Sequence, residues 1–159
     1  MKGIVMRHFK PAEFQGYYDR YDPELLAFLD EYRDRRKASV RVSPAPGATG
    51  RTYGSGFHNV AIWGSVKAID IMPSGMDTEA DMRREVELLK QIKSDLGIAH
   101  IGIGIYPAWS PSPGIHLDVG NRGKASGIAT WSGLPTGKDG GQEYKGIEEG
   151  FTYARQTQT

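Results

Sequence analysis

The stretch DTEADMRREVELLKQIKSDLGIAHIGIGIYPAWSPSPGIHLDVG, residues 77–120, decides the fold. Thr78 with Asp81 three residues later is a helix-starting pair, a hydroxyl cap followed by a carboxylate that reaches back. Met82, Val86, Leu89, Ile92 and Leu96 recur at helical spacing, and Gly97 stands where helices commonly end. Then the period changes. IAHIGIGIY (98–106) and GIHLDVG (114–120) read as strands around the loop PAWSPSPG. In the second strand Ile115, Leu117 and Val119 face one way, and His116 and Asp118 the other. An imidazole beside a carboxylate on one strand face is either a solvated surface or a metal or catalytic site.

Working outward, residues 22–37 (DPELLAFLDEYRDRRK) form a second helix. Asp22 caps it, Pro23 suits its first position, and Leu25, Leu29 and Tyr32 recur on one side. The basic residues Arg33, Arg35, Arg36 and Lys37 suit its C-terminus through the macrodipole, and we read them so in preference to a nucleic-acid patch. ASVRVS (38–43) alternates as a strand, and PAPGATGRTYGSG is a loop. FHNVAIWGSVKAIDI (57–71) reads as strand, turn near Trp63-Gly64, and strand, with Gly64-Ser65 suited to a tight hairpin. Residues 121–159 are rich in Gly, Thr, Lys and Gln with weak periodicity, and 123–159 are expected to be a loop-rich extension with a frayed end. The expected architecture is a single α+β domain over residues 1–159, a small, mostly antiparallel sheet with helices packed on one side.

The chain's 159 residues carry a formal net charge of +1, so bulk charge directs it to neither nucleic acid nor an anionic membrane. No apolar run approaches the roughly 20 residues of a membrane span. The apolar start, residues 1–6, is too short for a signal-peptide core, so synthesis in a cytoplasm is expected. With no cysteine, disulfides, thiolate zinc sites and thiol nucleophiles are excluded, and any metal must be held by histidine and carboxylate. Four histidines are available: His8, His58, His100 and His116. His58, with Asp70 on the next strand, and His116, with Asp118, have strand contexts and nearby carboxylates. Asp70 lies between Ile69 and Ile71, so its charge needs a partner, which a cation or plain hydrogen bonds to loop backbone would supply. His100 reads as a core or strand-end histidine, and His8 as structural or exposed. GIGIYP has no lysine and no following helix, so it is not a phosphate loop.

HFKPAEF, DPELLAFLDEYRDRRKASVRVSP, SGFH, KAIDI, GIGIYP and GIHLDVG follow one another in an order that resembles the zinc D-alanyl-D-alanine carboxypeptidase family. This is the hedgehog-like group of peptidoglycan peptidases, which includes phage lysis and tail-associated members. The resemblance covers residues 8–122, with a weaker echo in ATWSG (129–133). It implies a hedgehog-like fold, zinc as cofactor, and His58, Asp70 and His116 as the ligands.

The chain departs from that pattern at three places. The family's first His and Asp stand seven positions apart, whereas His58 and Asp70 are twelve apart, and the extra five residues fit a longer hairpin at 61–65. Ser55 is also one position further from the histidine than the family's Ser-x-His. Several branches carry an acid three residues before the last histidine, where this chain has Pro113. Asp118 is then the nearest carboxylate, as the general base, as an orienter of a ligand, or in neither role. The family's carboxylate-binding arginine has Arg51 as its best counterpart, with Arg41 the alternative, and a solvated loop arginine is the other reading of Arg51. Tyr106, Trp109 and Trp131 either line a substrate groove or pack loops.

The resemblance implies a zinc-dependent hydrolase that cleaves a peptide bond in the peptidoglycan stem peptide, as a D-Ala carboxypeptidase or an endolysin-like endopeptidase. Two alternatives are a non-catalytic cell-wall-binding or phage tail module on the same fold, and a hydrolase of other peptides. No nucleic acid and no membrane insertion are expected.

Overall fold

The computed structural model describes residues 6–137 and 141–157. After two 3-10 turns, Pro11–Phe14 and Tyr18–Arg20, the first helix α1 spans Pro23–Arg36. The Asp22 side chain accepts from the Glu24 backbone N–H at 2.9 Å and so caps it. Strand β1 (Val40–Val42) follows, then a single helical turn α2 (Val60–Trp63), strand β2 (Ala68–Pro73) and helix α3 (Glu79–Leu96). The α3 start is the expected reciprocal cap: Thr78 Oγ1 accepts from Asp81 N–H, and the Asp81 carboxylate accepts from Thr78 N–H. Strands β3 (Ile101–Tyr106), β4 (Gly114–Asp118), β5 (Ile128–Pro135) and β6 (Gln142–Lys145) and helix α4 (Ile147–Thr157) complete the chain.

The six strands form one sheet in the order β1-β2-β4-β3-β5-β6. Every pairing is antiparallel except β3 with β5. The architecture is therefore α+β with a mostly antiparallel sheet. Helices α3 and α4 lie against β3, and α1 packs on α3. Ile101, Ile103 and Ile105 of β3, Ile115 and Leu117 of β4, and Ile69 and Ile71 of β2 join the helix residues Leu25, Leu29, Met82, Leu89 and Phe151 in one buried core. Because strand residues alternate faces, the opposite face carries Asp70, His116, Asp118, Gly102 and Gly104. No helix is long and apolar enough to cross a membrane among the described residues.

Two local expectations are corrected. Residues 57–71 are not a hairpin. Asn59 Oδ1 accepts from Ala61 N–H at 2.9 Å, which opens the short helix α2, and Gly64 closes it with φ +78°. His58 therefore sits in a loop and not on a strand, and the residues beyond the family's spacing include a helical turn. The C-terminal part is not loop-rich over its described residues, since it supplies β5, β6 and α4. Its periodicity is weak because β5 is made of residues with other duties. Ser132 Oγ donates to the Gly146 carbonyl, and a Cβ on Gly133 would come within 2.3 Å of the Tyr106 ring.

Candidate metal centre

The sheet register brings the site together. Asp70 of β2 stands opposite His116 of β4, His116 opposite Gly104 of β3, and Gly104 opposite Trp131 of β5. The row is possible because β3 offers no side chains there. A Cβ on Gly104 would lie 2.4 Å from Trp131 Nε1, and one on Gly102 2.6 Å from the Asp118 carboxylate. The alternation in GIGIY is thus a packed isoleucine face and a glycine face that makes room for the site.

His58 enters from the loop before α2. Its carbonyl accepts from Arg51 N–H at 3.0 Å, and Arg51 O accepts from Val60 N–H at 3.0 Å. Asn59 Nδ2 also donates to Gly54 O at 2.6 Å. These bonds hold the loop against the segment at Arg51 and aim the imidazole at the sheet.

His58 Nε2, His116 Nδ1 and Asp70 Oδ1 converge. The His58–His116 separation is 3.3 Å, His116–Asp70 3.1 Å and His58–Asp70 3.3 Å. Among the described residues this is the group of histidines and carboxylates close enough to hold an ion. Zinc bonds of ~2.0–2.1 Å in a tetrahedron put neighbouring ligand atoms ~3.3–3.4 Å apart, which the triangle matches. Hydrogen bonding agrees. His116 Nε2 faces Asp118 Oδ2 at 2.8 Å, so the ring's proton belongs on Nε2 and the neutral ring turns a lone pair on Nδ1 toward the triangle. The buried His58 Nδ1 has no hydrogen-bond partner. Two nitrogens and a carboxylate oxygen at these distances call for a proton or a cation between them. A buried His-Asp-His set can hold a metal ion.

Burial alone pulls His116 down, but its hydrogen bonds and charges with Asp118 and Asp70 outweigh that and raise its pKa to about 9. Burial pushes His58 down. Burial would raise Asp70, yet the hydrogen bonds from His116 and His58 hold it well below the usual carboxylate range. A site that favours protonated His116 at neutral pH must expel that proton to take a cation.

Asp118 does not have the place of a general base. It is fully buried, and it does not line the pocket over the triangle. Its Oδ2 accepts from His116 Nε2 and from Arg122 Nη2 at 2.5 Å, and its Oδ1 from Gly120 N–H at 3.1 Å. It lies at the Nε2 end of the His116 ring, away from Nδ1. A carboxylate in that place fixes the tautomer of the histidine it accepts from.

The triangle lies in an open pocket of about 500 Å³. Arg51 lines it. Its Nε is buried without an acceptor, and among the described residues no carboxylate pairs with it. Arg41 lies on the edge strand β1, exposed and outside this pocket. Tyr106, Trp109 and Trp131 all line the pocket. Tyr106 stacks on Trp109 at 4.0 Å, and its hydroxyl accepts from Trp131 Nε1 at 3.1 Å. His8 is remote and pairs with Asp34, and His100 lies at the start of β3 outside the cluster. The sequence reading missed Phe57, Arg122, Gln142 and Tyr144 as pocket residues. Arg122 had one visible signal, its position four residues after Asp118. Gln142 and Tyr144 had none, because β6 itself was unread.

The chain matches no protein-family model, no curated protein and no solved structure.

Proposed function

We propose that the protein is a metal-dependent hydrolase. The observation that carries this reading is the triangle of His58 Nε2, His116 Nδ1 and Asp70 Oδ1 at the base of an open pocket, with edges of 3.1–3.3 Å. More particularly, we read it as a zinc peptidase of the peptidoglycan stem peptide on a hedgehog-like, D-alanyl-D-alanine carboxypeptidase fold. The motif order from SGFH through KAIDI to GIHLDVG supports this step, together with a pocket arginine, Arg51, that pairs with no carboxylate among the described residues.

His58, Asp70 and His116 would hold zinc, which supplies Lewis-acid polarisation of the scissile carbonyl and a more acidic water. The chain's own residues do the rest. Asp118 keeps the His116 proton on Nε2. Arg51 offers a planar fork to a substrate carboxylate, a bidentate match that a terminal or side-chain carboxylate of a stem peptide meets. Tyr106 accepts from Trp131 and has its own proton left for a substrate oxygen. Stacked Tyr106 and Trp109 wall one side of the pocket.

The test is zinc content and cleavage together. Freshly purified protein should bind about one zinc per chain and release fragments from muropeptides, with cleavage lost on chelation and restored by zinc. Absence of metal, with no cleavage on zinc addition, overturns the hydrolase reading. A second reading, a non-catalytic cell-wall-binding module on the same fold, is favoured by one observation: among the described pocket residues, Asp70 is the sole carboxylate, leaving no free base. Zinc binding and cell-wall retention without cleavage would establish it instead. A comparison of D-Ala-terminated with ordinary peptides separates a peptidoglycan enzyme from a hydrolase of other peptides.

A further inference from the structure

Arg122 touches three residues around the metal corner: Asp118, Phe57 and Trp131. It lies four residues beyond Asp118, in a turn where Asn121 Oδ1 accepts from Gly123 N–H at 2.8 Å. Its Nη2 donates to Asp118 Oδ2, the same oxygen that accepts from His116 Nε2. Its guanidinium carbon lies 4.9 Å from the Phe57 ring centre and 4.5 Å from that of Trp131. Phe57 immediately precedes His58 in the chain, and the Trp131 ring is 5.3 Å from that of His116. One planar cation therefore contacts the neighbour of one ligand, the ring beside another, and the carboxylate that orients that second ligand.

The choice of arginine has a physical reason. A guanidinium presents flat faces to aromatic rings and still donates in its own plane, whereas an ammonium is a compact point charge. Close packing on the other side makes the arrangement tight: a Cβ on Gly120 would meet the Phe57 ring at 2.2 Å, and one on Gly102 would meet Asp118. Asp118 has few other ways to lie. With Arg122 and Gly120 N–H in place, its Oδ2 is fixed where His116 Nε2 must donate.

We propose that Arg122 is a positioning residue: it fixes Asp118, and through Asp118 the tautomer and tilt of His116, so that Nδ1 faces the metal corner. The proposal rests on the metal-site reading above. It differs from a purely structural salt bridge, which would offset the buried charge of Asp118 without affecting the ligand.

The experiment measures zinc affinity by competition with a chromogenic chelator on the full chain. The variants are Arg122→Ala, Arg122→Lys, Asp118→Asn and the double variant Arg122→Ala/Asp118→Asn, with the folded fraction followed by circular dichroism. Arg122→Ala is expected to weaken zinc binding by ~10–100-fold, the usual cost of losing an outer-shell partner. Arg122→Lys should recover part of it. The double variant should be no weaker than Asp118→Asn alone, because both changes act through one carboxylate. Wild-type zinc affinity in a folded Arg122→Ala protein overturns the proposal, whether or not its melting temperature drops, and so do losses that multiply in the double variant. If Arg122→Ala does not fold, Arg122→Lys alone and combined with Asp118→Asn provides the same comparison. A wild-type chain that binds no zinc overturns the metal reading itself and this proposal with it, an outcome distinct from an Arg122 effect that fails to appear.

Discussion

Along β3, Ile101, Ile103 and Ile105 point into the core with the helices, while Gly102 and Gly104 lie on the opposite face, under Asp118 and Trp131. The same strands thus build two regions under opposite rules. The inner face is apolar, continuous and filled by side chains of its own strands. The outer face is floored by glycine, and its volume is taken by His116, Asp118 and Trp131 from neighbouring strands. Stability is expected to reside in the first region and metal and substrate recognition in the second, so substitutions on the two faces should separate.

The largest effects test that separation. Leu89→Ala, beneath the inner face, should cost ~2–5 kcal/mol in chemical denaturation, through lost burial and the cavity left behind. Its folded fraction should bind zinc as tightly as the wild type. A loss of zinc affinity in that fraction would break the comparison. Next is Gly104→Ala on the outer face. Its new Cβ meets Trp131 Nε1 at 2.4 Å, so overpacking of ~1–3 kcal/mol should come with a changed Trp131 fluorescence. Unchanged fluorescence and stability would mean that the glycine floor is not tight.

Asp118→Asn should lower zinc affinity by ~10–100-fold and leave cleavage largely intact once zinc is saturating. Normal affinity with lost cleavage would return Asp118 to the role of base. The pH dependence has a definite sign. The His116 pKa is raised to about 9 in the metal-free fold, against about 6.5 unfolded. Protonation of His116 therefore stabilises the metal-free protein fully below about pH 6.5, and that contribution is lost as pH rises through about 9. Thermal melts with and without zinc should diverge over that interval, the metal-free protein losing stability that the zinc-loaded protein keeps. The smallest structural effect is expected at Arg51→Ala, which should raise KM for substrates with a free carboxylate and leave zinc affinity and melting temperature near wild type.

How much of this was legible in the sequence follows the same division. The inner face was legible because its signals are local: the Thr78–Asp81 cap, the stripe from Met82 to Ile92, Gly97, and the alternation in β3 and β4. The outer face was less so. The run Val60, Ile62 and Trp63 favours a strand after His58, yet the Asn59 cap and Gly64 make one helical turn. Strand β5 was missed because Trp131 and Gly133 serve the pocket and its packing instead of repeating a period. That Asp70 stands opposite His116 is a fact of register between distant segments, so the ligand set was reachable only through resemblance. Arg122 had no such route, since its meaning depends on Phe57 and Trp131 arriving on either side of it.

The central claim is that three residues from a loop, β2 and β4 make one metal site. Calorimetric zinc titration of the full chain beside His58→Ala, Asp70→Ala and His116→Ala tests it most directly. The account predicts about one tightly bound zinc in the wild type and loss of that binding in each folded variant. A wild-type chain that takes up no zinc, or a single variant that keeps the wild-type affinity, would contradict it.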